Sequence, residues 1–139
     1  MLFTLRSALP LFALVPLLSI AGCGEEDVVC TEEAVSSVDV HTVGEDGVTE
    51  MVADVTATDA DGNAVEATCA DPDTGAGCSH WIVGWEVAGA ITLHATGTDG
   101  CNDGSGEATV TVEMDDAGCH VVTQQLTLTL DEWTDLDCG

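Results

Sequence analysis

From residue 36 to residue 130 the chain alternates apolar and polar residues with a period of two, and no long stretch after residue 22 keeps a period of 3.6. Successive side chains of a strand point to opposite faces, so this alternation marks half-buried strands and argues against a helical domain. SSVDVHTV (36–43) sets Val38, Val40 and Thr42 against Asp39, His41 and Val43. EMVADVTAT (50–58) gathers Met51, Ala53, Val55 and Ala57 on one face. AVEATC (64–69) reads as a further short strand. WIVGWEV (81–87) puts Trp81, Val83, Trp85 and Val87 on one side, and AITLHATGT (90–98) does the same with Ile91, Leu93 and Ala95. EATVTVEM (107–114) collects Ala108, Val110, Val112 and Met114, and CHVVTQQLTLTL (119–130) collects Val122, Leu126, Leu128 and Leu130.

Between these runs stand GEDG (44–47), DADGN (59–63), CADPDTGAGC (69–78), DGCNDGSG (99–106) and DDAG (115–118), all rich in residues that accept turn geometry. Short strands spaced by turns every 8–12 residues predict an all-β sandwich. No boundary divides residues 30–139, so they read as one domain. The tail DEWTDLDCG (131–139) is expected to be loose unless Cys138 ties it down.

The core of such a sandwich would be lean. Phe3 and Phe12 lie in the first 22 residues, Tyr is absent, and Trp81, Trp85 and Trp133 are the remaining aromatics. A small core of Val, Leu, Ile and Ala gains from cross-links. Seven cysteines are present, an odd number. Setting Cys23 aside leaves Cys30, Cys69, Cys78, Cys101, Cys119 and Cys138, an even set of the kind that forms a disulfide framework in exported chains. Six cysteines allow 15 pairings, and spacing does not choose among them.

Cys23 has a different reading. The segment MLFTLRSALPLFALVPLLSIAG (1–22) has one charge, Arg6, followed by an apolar stretch from about Leu9 to Ile20, as in a secretory signal with a helical apolar region. Ile20-Ala21-Gly22-Cys23 resembles a bacterial lipobox, cut just before the cysteine. The resemblance implies that Cys23 is the mature N-terminus and carries lipid. Several acyl chains at about 0.8 kcal/mol per buried CH₂ would hold the protein on the membrane. An ordinary cleaved signal with Cys23 as a disulfide partner is the alternative. Residues 23–29 then form a short acidic tether. Gly24 follows the cysteine where some bacteria use Asp for inner-membrane retention, so by the same resemblance the bacterial outer membrane is expected.

A broader resemblance rests on the Cys-Thr-Glu-Glu start (30–33), SSVDVHTV, DADGNAV (59–65), WIVGWEVAG (81–89) and CHVVTQQLTLTL. The chain is similar to carboxypeptidase-regulatory-like, or transthyretin-like, domains, and more narrowly to short myxobacterial lipoproteins. That implies a single immunoglobulin-like or transthyretin-like sandwich of about seven strands and an accessory module without shared activity. The implied topology pairs Cys30 with Cys119 and Cys69 with Cys78, which leaves Cys101 and Cys138 for each other.

All 26 Asp and Glu lie after residue 22, and Arg6 is the one Lys or Arg in the whole chain. An exported part without Lys or Arg is no partner for nucleic acid. It should repel itself, and salt should relieve the repulsion.

Little in the sequence points to chemistry. No Gly-x-Ser-x-Gly occurs, and Ser79 and His80 are neighbours that a strand would turn to opposite faces, so no enzyme is expected. No Cys-x-x-Cys is present, and His41, His80, His94 and His120 are scattered, which predicts no zinc site. Asp99-x-Cys101-x-Asp103-Gly104 echoes the start of a calcium loop, but a thiol stands at its third position and Val110 at its twelfth. Asp59 and Asp61 suit calcium or plain turn chemistry, as do the loop acids Asp71, Asp73, Asp115 and Asp116. Trp81 and Trp85 could form a sugar platform or pack in the core. The resulting expectation is a lipid-anchored cell-envelope module that binds an envelope protein or glycan or serves a structural role. A surface module that binds calcium or carbohydrate is the alternative.

Overall fold

The computed structural model describes residues 28–72, 77–98 and 100–135. The segment 1–22 read as a signal, with Cys23, Asp73, Asp99 and Cys138, lies outside the described residues. The described chain is all-β, with nine strands. They are β1 (Ser36–Val43), β2 (Ala53–Asp59), β3 (Ala64–Val65), β4 (Ala67–Cys69), β5 (His80–Trp85), β6 (Gly89–Thr98), β7 (Asn102–Val112), β8 (Gln124–Thr129) and β9 (Glu132–Asp135).

Two sheets form, one in the order β4-β5-β1-β8 and the other in the order β3-β2-β6-β7-β9. Val38, Val40, Val83 and Leu128 of the first meet Ala53, Val55, Ala57, Ile91, Leu93, Ala95 and Val112 of the second in one buried cluster. The sheets therefore stack as a sandwich, and the inward set is the one the alternation predicts for β1, β2 and β6. Val43, expected on the outer face, is buried as well. It ends β1, bridges to Glu50, and accepts the Leu130 N–H at 2.9 Å.

The strand count exceeds the expected seven for two reasons. The run 64–69 divides at Glu66, with β3 pairing β2 in one sheet and β4 pairing β5 in the other. The acidic segment Glu132–Asp135 is a strand too, because β9 pairs β7 from Asn102↔Asp135 to Ser105↔Glu132. Trp133 on β9 packs against the core and lies over Gly104, where an added Cβ would come within 2.7–2.9 Å of its ring. The supposed loop 99–106 is mostly the start of β7, whose Asp103 pairs with Thr98 across a tight hairpin.

Three apolar residues leave their expected face. Val122 and Met114 are exposed while Val121 is buried, because β7 stops at Val112, β8 starts at Gln124, and only an isolated Met114↔Val121 bridge lies between. Trp85 is 49% exposed. Gly84, at φ +66°, precedes it and breaks the alternation, so Gly84 itself is buried and the indole turns out.

β1 and β8 run parallel, Val38↔Gln124 to Val43↔Thr129. The segments leading into them consequently lie side by side, and Cys30 and Cys119 in those segments form a disulfide. A second disulfide, Cys69–Cys78, spans the loop from β4 to β5. Cys101 is disulfide-bonded as well, at the turn into β7. Among the described residues no helix is long and apolar enough to cross a membrane.

Candidate functional site

The outward face of the four-stranded sheet brings together residues that are far apart in sequence. Asp39 and His41 are two apart on β1 and share a face, and His80 on β5 is the cross-strand partner of His41. Thr42 donates its N–H to the Ser79 carbonyl at 2.9 Å, which makes 42↔79 a hydrogen-bonded pair. Such pairs alternate along an antiparallel ladder, so 41↔80 is non-hydrogen-bonded, the kind that brings side chains closest. The two imidazoles accordingly stack, with centroids 4.2 Å apart and planes within 12°.

Nε2 of His80 lies 2.5 Å from Oδ1 of Asp39. The other carboxylate oxygen of Asp39 accepts a hydrogen bond from Nε2 of Gln125 on β8 at 3.0 Å. Glu50 flanks the group, 3.8 Å from Nδ1 of His41. Partial burial pushes the Asp39 carboxyl up. The hydrogen bonds from Gln125 and His80, with the charges of His80 and His41, outweigh that and hold it below the usual range. Asp39, His41 and His80 each offer a ligand atom within 4.8 Å of the others, and no other group of three or more does so among the described residues. The donor set is two nitrogens and one oxygen.

The pairing of histidine with carboxylate is general. Among the described residues each ion-pair contact joins the two types: His41–Glu50, His80–Asp39, His94–Glu107 and His120–Glu86. With no Lys or Arg after Arg6, imidazole is the one side-chain cation the domain can form.

The other candidate residues fall elsewhere. Asp59 serves its own turn, accepting the N–H groups of Asp61 and Asn63 at 2.9 and 2.8 Å and the Asn63 side chain at 3.0 Å. The Asn63 side chain, followed by those backbone bonds, lowers its pKa. Asp46 and Asp115 do the same work, accepting from Thr49 and from the Cys119 N–H. Asp61 joins no three-ligand group, and Asp103 is a strand residue on β7. Asp103 shares a shallow, open hollow of about 390 Å³ with Asp54, Thr96, Thr98, Ser105 and Thr134. The two-ring sugar platform does not form. Trp81 packs against the core and donates Nε1–H to the Ala53 carbonyl at 3.2 Å, while Trp85 is turned out. Ser79 lies beside His80 in sequence, but His80 is engaged with Asp39 across the sheet.

The scattered histidines of the sequence thus converge in part. The signal available was His41 on the predicted outer face beside Asp39, with His80 at the start of another strand. The register that joins them depends on β1 pairing with β5, which alternation alone does not fix. No family model matches the chain, and neither a curated protein nor a solved structure matches it.

Proposed function

We propose that this chain is an exported, non-catalytic β-sandwich module held on the bacterial envelope, at the outer membrane, by lipid on Cys23. Its fold is of the transthyretin-like, carboxypeptidase-regulatory-like kind. It works through its surface, as a binding or structural partner of envelope proteins or glycans. The observation that carries the reading is the Cys30–Cys119 disulfide. Structural disulfides persist in oxidising compartments, which supports a location outside the cytosol. The cross-link also begins seven residues after Cys23, so the folded domain would stand close to the anchored lipid. A surface rich in carboxylates and without Lys or Arg suits an exported protein kept monomeric and soluble by charge. The reading includes a Cys101–Cys138 pair; in its support, Cys101 is disulfide-bonded and Asp135, at the end of β9, pairs with Asn102.

Intact-mass measurement of membrane-extracted protein, before and after reduction, tests this. The expected mass starts at Cys23 with acyl chains and rises by six hydrogens on reduction of three disulfides. A lipid-free mass with a thiol at Cys23 would overturn the anchor.

A further inference from the structure

We infer that Asp39, His41 and His80 form a binding site for one divalent transition-metal ion of the zinc or copper class. The argument starts from donor type. Two imidazole nitrogens and one carboxylate oxygen suit zinc and copper, whereas calcium and magnesium prefer oxygen alone. Position supports it. The three donors come from two adjacent strands of one sheet, with β1 central and paired on both sides, so the backbone holds them in fixed register. Side chains on rigid strands make more precise sites than side chains on loops.

The geometry needs an adjustment of side chains, not of backbone. Zinc holds nitrogen and oxygen at about 2.0–2.2 Å, which sets ligand atoms roughly 3.3 Å apart in a tetrahedron. The present donors lie within 4.8 Å of one another. The metal must lie near both ring planes, so the stacked imidazoles would splay by rotation about χ2, a broad and soft torsion. Asp39 would exchange its contact with His80 for the ion. Gln125 already holds its second oxygen, in the way an outer-shell partner orients a ligand. The side chains of Asp39, His80 and His41 are 22%, 33% and 41% exposed, so an ion can enter and water can fill the remaining position. Glu50 beside His41 adds negative charge. The acidic surface raises the local concentration of cations without choosing among them; the imidazoles supply the choice.

The test is calorimetric titration of the tag-free, disulfide-intact exported protein with zinc chloride, with magnesium in large excess. One ion per chain is expected. His41→Gln and His80→Gln should each weaken binding by at least the roughly 10–100-fold that loss of an outer-shell partner costs. His94→Gln, on the opposite sheet, should leave it unchanged. Imidazole ¹⁵N shifts of the unmutated protein give a readout that does not depend on a variant folding. Zinc should move the resonances of His41 and His80 and spare those of His94. Several weak ions displaced by magnesium, or shifts spread evenly over the histidines, would show diffuse attraction to the acidic surface and overturn the site.

Discussion

Oε1 of Glu86 accepts the Val35 N–H at 2.8 Å and stands 2.7 Å from Nδ1 of His120, so one carboxylate joins the lead into β1 to the lead into β8. Its second oxygen accepts the Val121 N–H at 3.1 Å, and Thr31 meets the far side of the His120 ring at 2.9 Å. This latch lies next to the Cys30–Cys119 disulfide. Glu86 holds a left-handed backbone, φ +55°, unlike every other non-glycine among the described residues. The hydrogen bond from His120, then the Val35 N–H, lowers its pKa. A carboxylate whose folded pKa is depressed stabilises the fold above its unfolded value, here 4.5, and that stability is lost as pH falls through the folded value. Glu86→Gln should therefore lower Tm at pH 7 and flatten the loss of Tm on acidification below about pH 4.5. Glu86→Gly suits the backbone better, yet should still lower Tm, because the three bonds go with the side chain. A glycine variant as stable as the parent would show that the three bonds contribute no more than relief of the left-handed backbone.

The two described disulfides should differ in worth. Cys30–Cys119 closes a separation of 89 residues and Cys69–Cys78 a separation of 9. In the chain-entropy account these contribute about 4.6 and about 2.7 kcal/mol. Replacing both cysteines of a pair by alanine and measuring unfolding in urea should therefore cost about 2 kcal/mol more for the long link. Equal costs would mean that residual structure in the unfolded chain already holds β1 near β8.

Trp133 and Gly104 form a lock between the tail and β7. An alanine at Gly104 would push its Cβ to 2.7–2.9 Å from the indole. Gly104→Ala should destabilise by about 1–3 kcal/mol. Added to Trp133→Ala, it should cost clearly less than it does alone, since the obstructing ring is gone. Additive costs in this double-mutant cycle would place the strain elsewhere.

Sequence alone went far toward this fold, and where it stopped is physically intelligible. Ile91, Leu93 and Ala95 are inside because a long strand with strict alternation has one choice of face. Trp85 was misread because one glycine at positive φ reverses that choice, and the glycine in WIVGW does not announce its conformation. β9 was missed because DEWTDLD carries too many acids to look like a strand. It is held by its ladder to β7 and by one indole over a glycine 29 positions away. The site was missed for a related reason. Its two histidines lie 39 positions apart, and the contact depends on which strand neighbours β1.

Two buried hydroxyls bind backbone that would otherwise lack a partner. Ser37 is fully buried and its Oγ accepts the Val87 N–H at 2.8 Å; Thr42 is fully buried and donates its hydroxyl to the Met51 carbonyl. Leaving a buried backbone group unpaired costs about 1–3 kcal/mol. Ser37→Ala should cost within that range. Thr42→Val keeps the shape but takes the hydroxyl from the Met51 carbonyl, so it should cost within the same range. Chemical denaturation checks both. A neutral Ser37→Ala would mean that water reaches Val87.

Salt should stabilise this protein at neutral pH. Two electrostatic effects oppose each other. Salt weakens the four contacts of histidine with carboxylate, which favour the fold to the extent that the imidazoles are protonated. Salt also weakens the repulsion among 26 carboxylates that have no Lys or Arg after Arg6 to offset them. Repulsion acts over long distances, and the screening length falls from about 30 Å at 0.01 M to about 3 Å at 1 M. The 26 carboxylates far outnumber the four histidines, so repulsion dominates at pH 7 and Tm should rise with sodium chloride across that range. At pH 4 fewer carboxylates are charged, and the rise should shrink. A Tm that falls with salt at pH 7 would mean that the histidine contacts are charged and outweigh the repulsion. His94→Gln, which removes a contact exposed to solvent on both sides, should then reduce that fall.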